Sequence, residues 1–188
     1  TVVAGHHGTT TLAAVAVGEA LELPHAAIAD GLRQRGPLPG RLEPVVAGQE
    51  FPALVDYAHT DAALTAALTS VREFSSRKIL LVFGCGGDRD PGKRPLMGAA
   101  AGRLADLPIA TSDNPPTENP RRILDAVEVG LVASGRQGYR VEVDRRALAG
   151  RHLDLGLSPG DRQRVAALVG RRQVDHSLSQ ADRLQPRL

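Results

Sequence analysis

Residues Ile79–Pro95 read ILLVFGCGGDRDPGKRP. An unbroken apolar run, KILLVFG from Lys78, predicts a strand buried on both faces, as in parallel sheets. Gly87–Lys93, GDRDPGK, then fits the phosphate-loop spacing G-x-x-x-x-G-K, and Pro95 opens a helix-like segment, RPLMGAAAGRLA. A phosphate loop of that type needs a hydroxyl after its Lys to reach magnesium. Here the next residue is Arg94, which cannot ligate a cation, so the stretch is not a triphosphate cradle. A structural turn would also want glycine. Four glycines together with two Asp, two Arg and one Lys in GCGGDRDPGKRP are more than a turn requires, which favours a functional loop. Arg89 offers a planar fork suited to a carboxylate or phosphate, and Asp88 beside it can orient it.

Working outward, strand and helix patterns alternate. PVVAGQEFPALVDYAH reads as two short strands around a turn and then a buried strand ending at Asp56. DAALTAALTSVREF is a helix with Leu64, Leu68 and Val71 on one side. After the 79–95 stretch come a strand (LPIATSDN), a helix (NPRRILDAVEVGLVAS) and a strand (YRVEVD). This rhythm predicts an α/β fold, a Rossmann-like, mostly parallel, doubly wound sheet with flanking helices. Ligands in such sheets bind beyond the carboxyl ends of the strands. That places DYAHTD, GCGGDRDPGK and TSDNPPTENP at the site.

The flanks differ from this core. Residues 1–36 contain two helical patterns, one through Leu12, Val15, Ala16 and Ala20, the second resuming at HAAIADGLRQ after Pro24. Two helices cannot bury their apolar faces alone, so other chain must cover them. GPLPGRLEP is a linker. From about Leu148 the patterning decays into an Arg- and Gln-rich stretch whose one apolar run is VAALV, which predicts a poorly ordered tail with one helix at most. The expected divisions are 1–40, a helical piece of another domain with a hinge, 41–147, the α/β domain, and 148–188, the tail.

Composition narrows the function. Apolar residues make up 42 % of 188, enough for a core, and with 3 % aromatics that core is aliphatic. A net charge of +2 gives no ground for a nucleic-acid partner. The single Cys85 excludes an internal disulfide and fits a reducing cytoplasm. No basic region followed by an apolar run opens the sequence, and no stretch approaches the ~20 apolar residues of a span, so neither membrane nor export is expected.

Each loop has a plain reading beside the functional one. In VDYAHTD, Tyr57 is half-buried and His59 caps the next helix, or Asp56 binds ribose hydroxyls or a metal and His59 lies near a nucleotide. In SDNPPTENP, Thr117 or Asn119 caps a helix, while Asn114 at the strand tip is the candidate ligand contact. VVAGHHGTTT has a second phosphate-loop form with Thr9 in the Lys place. Without that ammonium the anchor for the β/γ-phosphates is gone, and the stretch reads as a helix start.

PGRLE, VDYAHTDAAL, VFGCGGDRDPGKRPLMGAAA and TSDNPPTENPRRIL, in this order and spacing, resemble the Mur ligases of the MurE type over residues 10–145. The first two helices resemble the end of that family's central ATPase domain, the rest its Rossmann-like C-terminal domain. The family joins diaminopimelate or lysine to UDP-N-acetylmuramoyl-alanyl-glutamate in cytoplasmic peptidoglycan synthesis. ATP phosphorylates the peptide carboxylate, the amine attacks and phosphate leaves, with magnesium stabilising charge. The resemblance implies ATP and magnesium as cofactors, and nucleotide, amino acid and UDP-muramoyl-dipeptide as small-molecule partners. It assigns Arg41, Asp56, Tyr57 and His59 to the nucleotide, and Arg89 and Asn114 to the amino acid; no catalytic or metal-binding residue is carried over. Three departures follow. The phosphate loop lacks its Lys. Pro116 stands where diaminopimelate enzymes carry an Arg that pairs the distal carboxylate. LVGRRQVDH replaces the family's G-K-G-H-E. The chain alone is therefore expected not to make amide bonds. The competing readings are a non-catalytic binding module of this fold, and a folylpolyglutamate or cyanophycin synthetase relative, which would lack the GGDRD–DNP pairing.

Overall fold

A computed structural model describes residues 8–35, 38–46, 48–49, 51–87, 90–113, 117–145, 148 and 165–170. In chain order the elements are α1 (Gly8–Ala20), α2 (His25–Gln34), β1 (Glu43–Val45), β2 (Ala53–Asp56), α3 (Asp61–Phe74), β3 (Lys78–Phe83), α4 (Lys93–Leu104), β4 (Leu107–Thr111), α5 (Pro120–Ala133), β5 (Arg140–Glu142) and β6 (Val165–Gly170). Two of these helices, α3 and α5, start where a side chain satisfies a free amide. Thr60 Oγ1 accepts from the Ala63 N–H at 3.2 Å to cap α3. Asn119 Oδ1 accepts from the Arg121 N–H at 2.9 Å to cap α5, whose first residue is Pro120.

The strands form one sheet in the order β1-β2-β6-β3-β4-β5. Only β1, paired with β2, runs antiparallel. From β2 through β3 and β4 to β5 the chain always advances in one direction across the sheet. Crossovers of a single hand then put α3, α4 and α5 on one face. The core shows this: Ile79, Leu81 and Phe83 of β3 pack with Leu64, Leu68 and Val71 of α3, Met97 of α4 and Leu124 and Val127 of α5. Leu80 points the other way and joins Ile109. Leu148, between β5 and β6, packs against Leu80 and Ile109.

β6 corrects the expected division at residue 147. Val165–Gly170 is not a loose tail but the strand between β2 and β3, parallel to both. The apolar VAALV run suits an interior strand of a parallel sheet. Its isolation among Arg, Gln and Gly hid that role, because sheet position is set by pairing with residues far away in sequence.

Two local constraints hold the layers. α4 and α5 touch backbone to backbone: a Cβ on Gly98 would collide with the Val127 carbonyl oxygen, and one on Gly130 with the Pro95 carbonyl oxygen. At the amino ends of the strands, Asp106 Oδ2 accepts from Arg72 at 2.6 Å and from the Ile79 N–H at 2.7 Å. Burial works to raise the Asp106 pKa, but the Arg72 bond and the Ile79 amide outweigh it and hold the carboxyl below its ordinary value.

α1 and α2 lie outside this core. Leu12 and Val17 of α1 and Leu21 just after it are exposed, and α2 has no buried residue. Thr9 stands in the first turn of α1, the helix start expected for it. Among the described residues no helix is long and apolar enough to cross a membrane.

Gly130→Ala should lower the unfolding free energy by about 1–3 kcal/mol, the usual cost of overpacking, because the obstacle is backbone that cannot rotate away. Urea denaturation measures it; an unchanged midpoint would refute the close helix contact.

Candidate functional site

The parallel register brings the carboxyl ends of the strands level: Asp56 pairs with Gly170, Val82 with Val169, Phe83 with Ala110 and Thr111 with Glu142. Every loop singled out in the sequence therefore leaves one edge of the sheet.

At the β2 tip, Asp56 is 2 % exposed. Its Oδ2 accepts from the Leu42 N–H and its Oδ1 from the Ala58 N–H, both at 2.9 Å. The Tyr57 N–H donates to the Gly40 carbonyl at 2.8 Å, and the Gly40 N–H donates to Glu43 Oε2 at 2.6 Å. Gly40 and Leu42 both have left-handed backbone, φ +66° and +46°. The linker turn carrying Arg41 is thus fastened to the end of β2, and Arg41 is exposed on it. Tyr57 and His59 meet edge to face, ring centroids 5.3 Å apart. His59 Nδ1 lies 3.0 Å from the Tyr57 carbonyl, which can only accept, so Nδ1 carries a proton in this contact. Thr60, not His59, caps α3.

At the β3 tip the chain runs through Gly84–Gly87 to Asp90, whose Oδ1 accepts from the Gly92 N–H at 2.9 Å. Arg89 with Asp88, and Asn114 with Pro116, lie outside the described residues. Cys85 is buried in this loop with its Sγ 3.5 Å from Met97 Sδ. Burial pushes its thiol up to about 11 against the pull of Lys93 and Arg94, so it stays protonated and is no nucleophile. Lys93 Nζ donates to the His59 carbonyl at 3.3 Å, tying this loop to the β2 tip.

The pair that sequence reasoning missed is Arg94–Glu118. Arg94, read only as the residue that spoils a phosphate loop, is 3 % exposed in the first turn of α4. Its two terminal nitrogens donate to the two Glu118 oxygens at 2.7 and 2.6 Å. A cation at a helix N-terminus opposes the helix dipole, and a buried one requires a partner. Glu118 supplies it from the β4–α5 loop and so ties that loop to the start of α4. Nothing in a separation of 24 residues announces such a pair.

Against known proteins, the family described as Mur ligase, glutamate ligase domain, matches residues 40–167. The chain belongs to the Mur ligase family. The match runs through Ala167, into β6. The chain is 47 % identical over 152 residues to the UDP-N-acetylmuramoyl-L-alanyl-D-glutamate–2,6-diaminopimelate ligase of Thermosynechococcus vestitus, covering 80 % of this chain and 30 % of that one. It is 48 % identical over 134 residues to the ligase of the same name from Geobacillus thermodenitrificans, covering 71 % and 27 %. It therefore spans about a third of the length of the curated relatives it matches. A solved ligase of that name superposes with TM-score 0.58 at 32 % identity, over 89 % of this chain and 33 % of that one. A folylpolyglutamate synthase of Mycobacterium tuberculosis, complexed with ADP and AMPPCP, shares the fold at TM-score 0.68 and 18 % identity, over 98 % and 41 %.

Glu118→Gln should destabilise the fold by on the order of 3 kcal/mol, because it leaves the Arg94 guanidinium buried without its counter-charge. Chemical denaturation reads this; a loss below about 0.5 kcal/mol, the range of neutral surface changes, would mean that the pair does not hold the loop to α4.

Proposed function

We propose that this chain is the amino-acid-adding part of an ATP-dependent amide ligase, which joins diaminopimelate or lysine to the free carboxylate of UDP-N-acetylmuramoyl-alanyl-glutamate. The observation that carries the reading is the 47 % identity over 152 residues to a ligase whose name states this reaction. The aligned loops of this chain leave the same end of the sheet. A carboxylate does not condense with an amine unaided; ATP supplies the leaving group by making it an acyl phosphate.

In this reading the β2 side of the edge faces the nucleotide. Exposed Arg41 offers charge to the phosphates, while half-buried Tyr57 and exposed His59 offer ring surface to the adenosine; Asp56 belongs to the same tip. Arg89 and Asn114, on the β3 and β4 loops, take the amino acid. A guanidinium fork pairs an α-carboxylate through two bonds, and an amide both donates and accepts. Among the described residues no group of three or more His, Cys, Asp or Glu could hold a metal, so magnesium would take its protein ligands from elsewhere. With Thr9 in place of the phosphate-gripping Lys, the chain depends on other protein for phosphoryl transfer. The identity of the third amino acid rests on two opposed facts. The relatives are diaminopimelate ligases by name, whereas Pro116 removes one guanidinium for its distal carboxylate.

A graft tests this. Alone, the chain should release no ADP with UDP-muramoyl-dipeptide, ATP, magnesium and either amino acid. Residues 40–170, replacing the matching segment of the Thermosynechococcus ligase, should support amino-acid-dependent ADP release above about 1 s⁻¹. In that graft Arg89→Ala should raise the amino-acid KM about 10- to 100-fold, as the loss of a charged hydrogen bond predicts, and Arg89→Lys should restore little. A folded graft that binds both substrates without turnover would instead mark a binding module.

A further inference from the structure

The opposite end of the sheet carries a cleft of its own. Asp106 immediately precedes β4, and Ser134–Gly138 joins α5 to β5, so both stand at the amino ends of the strands. Between them and the last turn of α4 opens a cleft of about 620 Å³, a size usual for small-molecule sites. Arg103, Asp106, Gly135, Arg136, Gln137 and Gly138 line it. The carbonyl ends of α4 and α5 lie here, which by itself would repel an anion. Those carbonyls are largely engaged. On α4, Gly102 O accepts from Arg136 Nε at 2.8 Å and Leu104 O from Arg72 at 3.4 Å. On α5, Leu131 O accepts from Ser134 Oγ at 2.6 Å and Val132 O from the Gly135 N–H at 3.0 Å. The carboxylate in the lining, Asp106, is matched by Arg72 at 2.6 Å and by the Ile79 N–H at 2.7 Å.

What is left over is positive. Capping α4 uses only Nε of Arg136; its two terminal nitrogens make no hydrogen bond among the described residues. Arg103 is exposed and makes no hydrogen bond or ion pair among them. Helix capping therefore accounts for one nitrogen of one guanidinium and leaves donors on two. The space before them is open, since a Cβ on Gly135 or Gly138 would meet no atom within 4 Å. We propose that this cleft binds the phosphate group of a small soluble molecule. A carboxylate satisfies a single guanidinium fork, whereas a phosphate brings close to two charges and three acceptor oxygens and can take both. The volume exceeds that of a bare phosphate, which leaves room for the organic part of a monoester beside the Gln137 amide. The site lies at the far end of the strands from the loops read above and is independent of the function proposed for them.

The test is a titration of the 188-residue chain, read by amide chemical shifts at constant ionic strength. The probes are inorganic phosphate and glycerol 3-phosphate, with sodium chloride as the ionic control. Both phosphates should give saturable shifts at Gly102, Arg103, Gly135 and Gly138, with Kd on the order of 1 mM and the monoester the tighter. Arg103→Ala, which removes no contact of the fold, should raise that Kd at least about tenfold, the loss of a charge-assisted hydrogen bond. Arg103→Lys should recover little, because an ammonium lacks the fork. Arg136→Ala should weaken binding as well, but it also uncaps α4, so Arg103→Ala carries the test. Shifts that fail to saturate, that sodium chloride reproduces or that survive Arg103→Ala unchanged would overturn the proposal. So would saturable shifts confined to Tyr57 and Ala58 at the other end of the sheet. A second arm sediments the chain with phosphatidylglycerol or phosphatidylcholine vesicles. Arg103-dependent capture by the anionic vesicles, with no cleft shifts from either soluble phosphate, would make the ligand a lipid headgroup and also overturn it.

Discussion

The sheet depends on hydrogen bonds made by one six-residue strand. β6 pairs with β2 on one side and β3 on the other, and β2 and β3 do not pair with each other. Without β6 the β1–β2 pair would face the rest of the sheet across an open gap the width of a strand. Two unpaired inner edges would then expose donors and acceptors that must be satisfied somewhere. The same strand sets the register. Because Asp56 lies opposite Gly170 and Val169 opposite Val82, the β2 tip comes level with the glycine-rich loop, and Lys93 can reach the His59 carbonyl.

Above this frame, charge fixes backbone. Asp56 ties the linker turn to β2, Arg94 and Glu118 tie the start of α4 to the β4 loop, and Asp106 with Arg72 ties α3 to the starts of β3 and β4. The two charges removed from water, Asp56 and Arg94, are each offset by two hydrogen bonds, the condition under which burial of a charge is tolerated.

How far the sequence revealed this follows from the range of each signal. α3, β3, α4 and α5 were readable because their evidence is local: Leu64, Leu68 and Val71 at helical spacing, Pro95 and Pro120 in first turns, Asn119 as cap, and the unbroken KILLVF run. The convergence of the three loops on one edge was readable too, since strand–helix alternation implies a parallel sheet. β6 was not, because VAALV is too short to show a period and its meaning lies in partners about 85 and 110 residues away. The Arg94–Glu118 pair and the inward turn of the Asp56 carboxylate were hidden for the same reason: both are set by tertiary contact. Arg94 had only been weighed as a failed magnesium ligand position, and Asp56 only as a ligand contact.

The central claim is that Val165–Gly170 is the strand that joins the two halves of the sheet. Native-state amide hydrogen exchange on the intact chain tests it most directly. The account predicts that the amides of this strand exchange as slowly as those of Ile79–Phe83, because both lie in the interior of one parallel sheet. Exchange across Val165–Gly170 at the rate of an unstructured peptide, with Ile79–Phe83 still protected, would contradict it.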